Sequence, residues 1–469
     1  MLEISSQDKS LIYDLTHLGR IFFEKILWVE EPSGQVPYLE VSQHGDRARI
    51  ELFSAGRRIF FQEVPGQKNL IKGAAYEGLS RLKPSGSPYG ILVGVRPVKL
   101  VHQLFDEGFQ SDQVEEILNS TFKVSPQKAT LLTAIASLER PYVKLDTENL
   151  SVYMGIPFCP SICTYCAFPS NDVTRKGHLL KPYMEKLNQE IVYAAGLIKS
   201  RALVVDNLYV GGGTPSVIDE NLMQNLLGTI NDCFDMSQVK EFTFEAGRAD
   251  TITEEKLRLL KSGGVTRVCL NPQSMDQEVL FAVNRRHEPG AVFQAMEWIQ
   301  KTGFHSVNMD LIVGLPLDTA EGFKKTLKTV VAMGPENITV HTLSIKKGAG
   351  LDPWSLMAPP EISASLKFSA EYLEEKGYKP YYLYRQKNIL GNFENIGYTV
   401  SDRASLYNIR MMEEQHPVLA LGVGGVSKKI HSKDHFDRVQ NFRSVEDYLS
   451  RFDEVLQKKE QILNLTPEE

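Results

Sequence analysis

The chain has 469 residues, 42% of them hydrophobic and 23% charged, with 52 Lys and Arg against 58 Asp and Glu and a formal net charge of -6. This length predicts more than one domain. The composition excludes a disordered chain and argues against a broad nucleic-acid footprint. No apolar run approaches the length of a bilayer span, and the first residues lack a secretory pattern. Five cysteines in this arrangement fit a reducing cytoplasm.

Residues 1–147 read as a separate N-terminal α+β domain. Arg47–Phe53 and Arg57–Val64 flank Ser54-Ala-Gly56, as the strands of a hairpin do. Ser125-Pro126 reads as an N-cap and first helical residue ahead of Lys128-Ala-Thr-Leu-Leu-Thr-Ala-Ile-Ala136. Arg96-Pro-Val-Lys99 is a basic spot that reads as an exposed loop. Chemistry alone assigns this region no function.

From Leu150 short β-branched runs alternate with helical stretches. Strands are expected near Leu150–Ile156, Leu203–Val210, Glu241–Ala246, Val265–Asn271, Ser306–Val313 and Asn337–Ile345. Amphipathic segments such as Pro182–Leu197 and Glu254–Lys261 lie between them. Six β-then-α units argue for a parallel sheet with crossover helices. Residues 148–346 fall short of the roughly 250 of a complete eight-unit barrel, so the fold class expected is α/β, an incomplete (β/α)6 barrel. Residues 347–469 form a C-terminal α/β extension, expected to cover the substrate. In it Ile362, Leu366, Ser369 and Leu373 share a helical face ended by Gly377, and Lys379–Arg385 is strand-like. Ser444 caps a last helix whose face is Val445, Tyr448, Leu449, Phe452, Val455 and Leu456.

Chemistry concentrates in Gly155-Ile-Pro-Phe-Cys-Pro-Ser-Ile-Cys-Thr-Tyr-Cys-Ala-Phe168. Cys159, Cys163 and Cys166 at the spacing C-x3-C-x2-C suit one compact iron–sulfur cube. A four-iron cluster has four corners, and here three have cysteine ligands, so one iron keeps an open position for a substrate or cofactor. A zinc site wants a fourth ligand, and the nearest downstream histidine is His178. A disulfide framework does not suit three clustered cysteines in a long chain. Cys233 and Cys269 lie apart and read as core thiols.

The C-terminal ends of parallel barrel strands build the active site. Gly211-Gly-Gly-Thr-Pro215 follows the second strand, where missing Cβ atoms allow close backbone approach, although a lone glycine run is often only a turn. Glu245, Gln273 and Asp310 end or follow the next three strands. Carboxylates and an amide offer acceptors to an ammonium group and ribose hydroxyls. Each alone could equally be a capping or barrel-lining residue.

The cysteine spacing, with Tyr165 before the last cysteine, resembles the signature loop of radical S-adenosylmethionine (SAM) enzymes. The Gly211–Pro215 run is similar to that superfamily's segment for the methionine part of SAM. Tyr153, Ile156-Pro-Phe-Cys159, Val283-Asn-Arg285, Asp310-Leu-Ile-Val-Gly-Leu-Pro316 and the spacing of Gln273, Arg285 and Asp310 resemble the oxygen-independent coproporphyrinogen III oxidase (coproporphyrinogen dehydrogenase) family. Gly397-Tyr-Thr399 and Leu421–Ser427 resemble its C-terminal segments. The match covers roughly residues 150–430. With its long N-terminal region the chain looks like the HemZ-like branch.

This resemblance implies a radical SAM barrel holding one [4Fe-4S] cluster on Cys159, Cys163 and Cys166. The open iron would bind the amino and carboxylate groups of SAM. It also implies two SAM molecules, lined by Tyr153, Tyr165, Gly212, Gly213, Thr214, Glu245, Gln273, Arg285 and Asp310, with Ser344 and Val426 as weaker members. Arg285, with Arg286 as rival, would pair with the SAM carboxylate. The implied reaction is oxidative decarboxylation of two propionates of coproporphyrinogen III to the vinyls of protoporphyrinogen IX. An electron donor such as flavodoxin or ferredoxin would reduce the cluster. No catalytic side chain is singled out. Arg385 and Lys387 are candidates for propionate contacts, or simply a solvated strand end.

Two positions depart from the main branch. Phe168 stands where a further cysteine is usual, as it does in related haem chaperones, and Met154-Gly155 stands where a histidine is common. The haem chaperones' His-Asn-x-x-Tyr-Trp signature has no clear counterpart, since the matching area reads Asn395-Ile-Gly-Tyr398. A haem chaperone and an anaerobic haem-degrading methyltransferase remain the rival readings.

Overall fold

The structure is a computed structural model and describes residues 1–6, 8–84, 86–94, 96–345, 356–386, 388–400, 402–433 and 435–464. Two units divide the chain. The first is Met1–Ser137 with Tyr384–Lys387 and Gly391–Phe393. Its sheet holds β1 (Leu2–Ser6), β2 (Ile26–Trp28), β3 (Tyr38–His44), β4 (Arg47–Ser54) and β5 (Arg57–Pro65), in the order β2-β1-β3-β4-β5. The β4–β5 hairpin forms as expected. Its two-residue turn puts Ala55 at φ 50° and Gly56 at φ 71°, the left-handed pair that matches strand twist. Ala48, Ile50 and Leu52 alternate inward and are fully buried. Helix Lys68–Leu82 packs on this hairpin through Gly78, where a Cβ would lie 2.8 Å from the Phe60 ring.

The second unit is Leu138–Leu383 with Asn388–Leu390 and Glu394–Glu469. It begins with β6 (Asn149–Ile156) and the two-residue strands β7 (Phe158–Cys159) and β8 (Asn171–Asp172). Then come β9 (Val204–Gly212), β10 (Glu241–Gly247), β11 (Arg267–Leu270), β12 (Ser306–Val313) and β13 (Asn337–Thr342). β6, β9, β10, β11, β12 and β13 are neighbours in that order and all parallel, which is the expected (β/α)6 core. The crossovers run through helices Leu180–Ser200, Glu220–Cys233, Glu254–Ser262, Pro289–Thr302 and Ala320–Ala332. Asp219, Thr253 and Thr319 cap three of them with side-chain oxygens. On β10, Phe242, Phe244 and Ala246 alternate with Glu241, Thr243 and Glu245, so one face of the sheet is apolar and the other carries polar groups.

Five more strands extend this sheet: β14 (Lys379–Tyr384), β15 (Asn395–Thr399), β16 (Val418–Gly422), β17 (Val426–Ile430) and β18 (Phe436–Gln440). The full order is β14-β15-β13-β12-β11-β10-β9-β6-β16-β17-β18. β15 runs antiparallel to β13, while β16 runs parallel to β6. The expected division after residue 346 therefore separates no sheet. The last region satisfies the open edges of the six-stranded core, whose N–H and C=O groups would otherwise be unpaired. Ser444 caps as expected, but the final helix is two, Val445–Ser450 and Phe452–Asn464, broken at Arg451.

Candidate active site

β6 ends at Ile156 and the chain turns through β7 into the cysteine loop. β8 pairs with β7, so the loop leaves and returns at one place. Its middle is tied to the segment after β11. Thr164 N donates to Val283 O at 3.2 Å, Asn284 Nδ2 to Ile162 O at 2.9 Å and Ser161 Oγ to Asn284 O at 2.9 Å. Arg248, ion-paired to Asp250 at 2.6 Å, donates to Ser161 Oγ at 2.6 Å. Cys159, Cys163 and Cys166 are all free, and each sulfur lies in the electrostatic field of the others. Burial pushes the Cys159 thiol up to about 11, against the hydrogen bond that Thr214 Oγ1 donates at 3.4 Å. Burial likewise raises Cys166. Arg285 Nη1 approaches Cys163 Sγ at 3.8 Å.

These thiols fit a cube better than a single ion. They do not all fall within 4.8 Å of one another, and no described carboxylate or imidazole joins them. A tetrahedral zinc site with bonds of about 2.3 Å would draw the sulfurs to within roughly 4 Å. Three free, mutually influencing thiols beside an arginine suit a multi-iron cluster with one iron left open.

The three glycines after β9 have three separate tasks. A Cβ on Gly211 would lie 2.7 Å from Tyr209 Cε1 and 3.0 Å from Glu245 Oε2. Gly212 sits at φ 115°, beyond the reach of ordinary side-chain-bearing residues, and aims its N–H at Glu245 Oε2 at 3.3 Å. A Cβ on Gly213 would lie 2.6 Å from Phe158 O and 3.0 Å from Cys159 Sγ. Gly213 N and Thr214 N donate to Ile156 O and Phe158 O at 2.9 and 2.8 Å, which holds the run against the start of the cysteine loop.

The polar face is layered. At its base Glu241 accepts from Arg267 Nε at 3.1 Å and from Asn207 Nδ2 at 3.4 Å. Arg267 also donates to Ser306 Oγ at 2.8 Å, to Asn337 Oδ1 and to Arg403 O at 2.8 Å. Helix Leu406–Glu413 sets its N-terminus on the same carboxylate, with Ser405 Oγ at 3.0 Å and Tyr407 N at 3.1 Å. Above this base the rings of Tyr153, Tyr209 and Tyr407 stack. The Tyr209–Tyr407 centroids are 4.2 Å apart and Tyr153–Tyr209 6.0 Å apart.

The upper layer gathers the expected ligands of the nucleoside. Glu245 accepts from Tyr209 Oη at 2.5 Å, and burial pushes its carboxyl up to about 7, aided by the charge of Asp310. Burial also pushes Asp310 up, but His341 at 3.7 Å and the amide of Asn308 at 2.7 Å outweigh it and leave this carboxyl low. Gln273 adopts φ 70°, donates its N–H to Asp310 O at 2.9 Å and buries Oε1 with no partner. A left-handed glutamine is strained, and an orphaned buried amide oxygen suits a ligand's hydroxyl or amino group. Arg285 is buried, reaches Asn271 O and Cys163, and leaves Nε without a partner. Arg286 points outward to Asn284, so of the two arginines only Arg285 faces the thiols. Tyr165 packs on the apolar cluster of Val279, Val283, Ile312, Leu315 and Leu343.

Ser344, Val426 and Arg385 are the other described residues of the expected set. Ser344 bridges Ile389 at the end of the β13 line. Val426 opens β17, beside Gly425, where a Cβ would lie 3.5 Å from the Tyr153 ring. Arg385 belongs to the first unit. There it donates to Leu92 O at 2.5 Å, Asn392 O at 2.9 Å and Phe393 O at 3.4 Å, with its guanidinium 4.6 Å over the Tyr89 ring. Its fork is occupied by main-chain carbonyls, not presented to solvent as a propionate ligand. Lys387 lies outside the described residues. Tyr209, Tyr407, Asn308 and His341 were not expected at the site; strand alternation, two positions before Gly211 and two before Asp310, was the signal that could have found the first and third.

The Radical SAM superfamily pattern matches residues 153–330. Over 98% of its length the chain is 31% identical to the oxygen-independent coproporphyrinogen-III oxidase-like protein HemZ of Bacillus subtilis, covering 97% of that protein. It is 34% identical to the oxygen-independent coproporphyrinogen III oxidase of Escherichia coli over 41% of each chain. It is 30% identical to the heme chaperone HemW of B. subtilis over 42% of this chain and 51% of that one. The solved structure of the E. coli oxidase, described as a radical SAM enzyme, superposes with a TM-score of 0.55 at 24% identity, over 68% of this chain and 72% of that one. At that identity the likeness is one of fold.

Proposed function

The chain belongs to the radical SAM superfamily and, within it, to the family of HemZ- and HemN-like coproporphyrinogen III oxidase homologues, and from that membership we propose that it decarboxylates a porphyrinogen oxidatively. The observation that carries this reading is the meeting of two features. Three free thiols sit beside Arg285, and the next strand ends present Glu245, Gln273 and Asp310 with buried, unsatisfied or negatively charged groups. Cys159, Cys163 and Cys166 would hold the [4Fe-4S] cluster. Bound there, the reduced cluster and SAM supply a 5′-deoxyadenosyl radical able to take a hydrogen atom from the β-carbon of a propionate.

The chain's own residues bind and orient. Arg285 offers charge-assisted donors to a carboxylate, and Gln273 offers an acceptor. Asp310, held ionised by His341 and Asn308, suits an ammonium or a pair of ribose hydroxyls. Gly212 and Gly213 allow close main-chain approach. The substrate radical would then lose carbon dioxide and pass one electron to a one-electron acceptor, which leaves a vinyl group; two such events would convert coproporphyrinogen III to protoporphyrinogen IX. The proposal includes a second SAM beside the first, a flavodoxin- or ferredoxin-like reductant and a cytoplasmic setting suited to five free cysteines.

Phe168, 65% exposed two residues after the last cysteine, favours the haem chaperone as second reading, because the chaperones share that residue. Against it, Asn395 and Tyr398 are buried in β15 at 1% and 3% exposure, where they cannot reach a haem. Anaerobic reconstitution followed by a strong reductant, SAM and coproporphyrinogen III tests the proposal by mass spectrometry. Protoporphyrin after oxidation, with 5′-deoxyadenosine and methionine, is the expected result. SAM cleavage with an unchanged porphyrin rules out this substrate. An intact cluster, no cleavage and tight haem binding would select the chaperone.

A further inference from the structure

We infer that Tyr209 is a positioning residue of the cofactor site: its hydroxyl, donated to Glu245 at 2.5 Å, aims that carboxylate across the upper layer toward the bound nucleoside. The inference rests on the SAM-binding part of the reading above and not on the identity of the substrate.

Four observations converge. The first is space. Gly211 is the one residue of the glycine run whose Cβ would strike both partners, at 2.7 Å from Tyr209 Cε1 and 3.0 Å from Glu245 Oε2. The first glycine thus keeps open the path between tyrosine and carboxylate. The second is direction. Glu245 takes Tyr209 on Oε1 and the Gly212 N–H on Oε2, so each oxygen is fixed by its own donor and the remaining lone pairs face the layer. The third is rigidity. Tyr209 packs against both Tyr153 and Tyr407, whose own centroids are 6.5 Å apart, so the three rings form one cluster, and Tyr407 is itself anchored on Glu241 through its main-chain N–H at 3.1 Å. The fourth is protonation. Burial and the charge of Glu245 hold the Tyr209 phenol well above its usual range, so it stays a donor.

The groups facing Glu245 are Tyr209 and Gly212 from β9, Cys269 from β11 across the register, the charge of Asp310 from β12, and the phenols of Tyr153 from β6 and Tyr407 from helix Leu406–Glu413, both raised by burial and by Glu245 itself and so neutral. Cys269, raised by burial and by the two carboxylates, is neutral at working pH. Only Tyr209 and Gly212 therefore favour ionised Glu245, opposing burial and Asp310. A carboxylate that accepts from an ammonium or a ribose hydroxyl must be ionised.

The test is anaerobic calorimetry of SAM binding to the cluster-reconstituted full chain, between about pH 6 and pH 9. Wild-type affinity should rise as pH passes about 7. Tyr209→Phe keeps the ring stack and removes only the hydroxyl. Its midpoint should move up by about one pH unit, which weakens SAM up to about tenfold near neutrality and restores wild-type affinity at the alkaline end. Glu245→Gln should flatten the step altogether. A Tyr209→Phe midpoint equal to wild type, or a loss of the same size at every pH, overturns the inference and leaves the tyrosine a packing residue. A step that survives Glu245→Gln overturns it too. A protein that shows the predicted shift but never alters coproporphyrinogen keeps the inference and loses the proposed substrate; one with no affinity for SAM loses both.

Discussion

Thr214 donates its hydroxyl to the sulfur of Cys159 at 3.4 Å, and the residue before it, Gly213, has no room for a side chain against that same sulfur. The glycine run therefore builds two sites from consecutive residues. Gly213→Ala must displace Phe158 O or the Cys159 sulfur, and main chain on both sides resists that move. The variant should bind well under half the iron and sulfide of wild type after reconstitution. Gly211→Ala should keep full iron and lose SAM affinity instead, because its Cβ meets Tyr209 and Glu245. Equal iron loss in both variants would show that the run is one undivided turn.

Replacing any of Cys159, Cys163 or Cys166 by Ala should abolish the cluster's visible absorbance and SAM cleavage together, since a cube with an open iron tolerates no second vacancy. Cys233→Ala and Cys269→Ala should retain the absorbance. Cys233 lies at the end of helix Glu220–Cys233, and Cys269 lies between the two site carboxylates on the polar face. Loss of the cluster in either would contradict the three-thiol assignment.

Acid should destabilise the second unit earlier than its carboxylates predict. His287 and His416 are 2% and 3% exposed, and burial, together with nearby Arg285 and Arg410, pulls each imidazole down to about 3. An unfolded histidine titrates near 6.5, so the unfolded chain takes up these protons first. The stability each neutral ring contributes is complete above about pH 6.5 and is lost as pH falls toward its folded value. Between about pH 7.5 and pH 5.5 each should cost about 1 kcal/mol. Urea midpoints at the two pH values, for wild type and His416→Gln, check this; an unchanged pH dependence in the variant would remove His416 from the account.

Much of this was legible from residues alone, for stated reasons. The six core strands are apolar runs bounded by capped helices, and period and caps are local properties. The cysteine loop and the glycine run carry their chemistry within a few positions. Tyr407 and the Glu241–Arg267 base were not legible, because they depend on register and on partners far away in the chain: Ser405 and Glu241 are 164 positions apart. Val418–Gly422 reads as a buried strand, but nothing local says that it pairs beside β6. Arg385 misled for a similar reason, since a cation after a strand looks solvated until its carbonyl partners come from elsewhere.

Lys459 shows how such distant pairing reaches the site. It is fully buried, and burial lowers its pKa, yet Nζ donates to Ala420 O at 2.8 Å and Asn441 Oδ1 at 2.6 Å and pairs with Glu190 at 3.1 Å. Glu190 in turn accepts from Gly422 N at 2.8 Å and Tyr448 Oη at 2.7 Å. Gly422 lies against Gly155, where a Cβ would sit 2.5 Å from the Gly155 carbonyl, at the root of the cysteine loop. Lys459→Met leaves a buried carboxylate without its cation and should cost about 3–5 kcal/mol. Adding Glu190→Gln removes the stranded charge and should recover part of that loss, a coupling that a double-mutant cycle measures directly. The single variant should also bind less iron than the double at equal folded fraction, because an uncompensated Glu190 releases Gly422 from its place beside Gly155. Equal iron in the two variants would confine Lys459 to stability and leave the cysteine loop independent of the last helix.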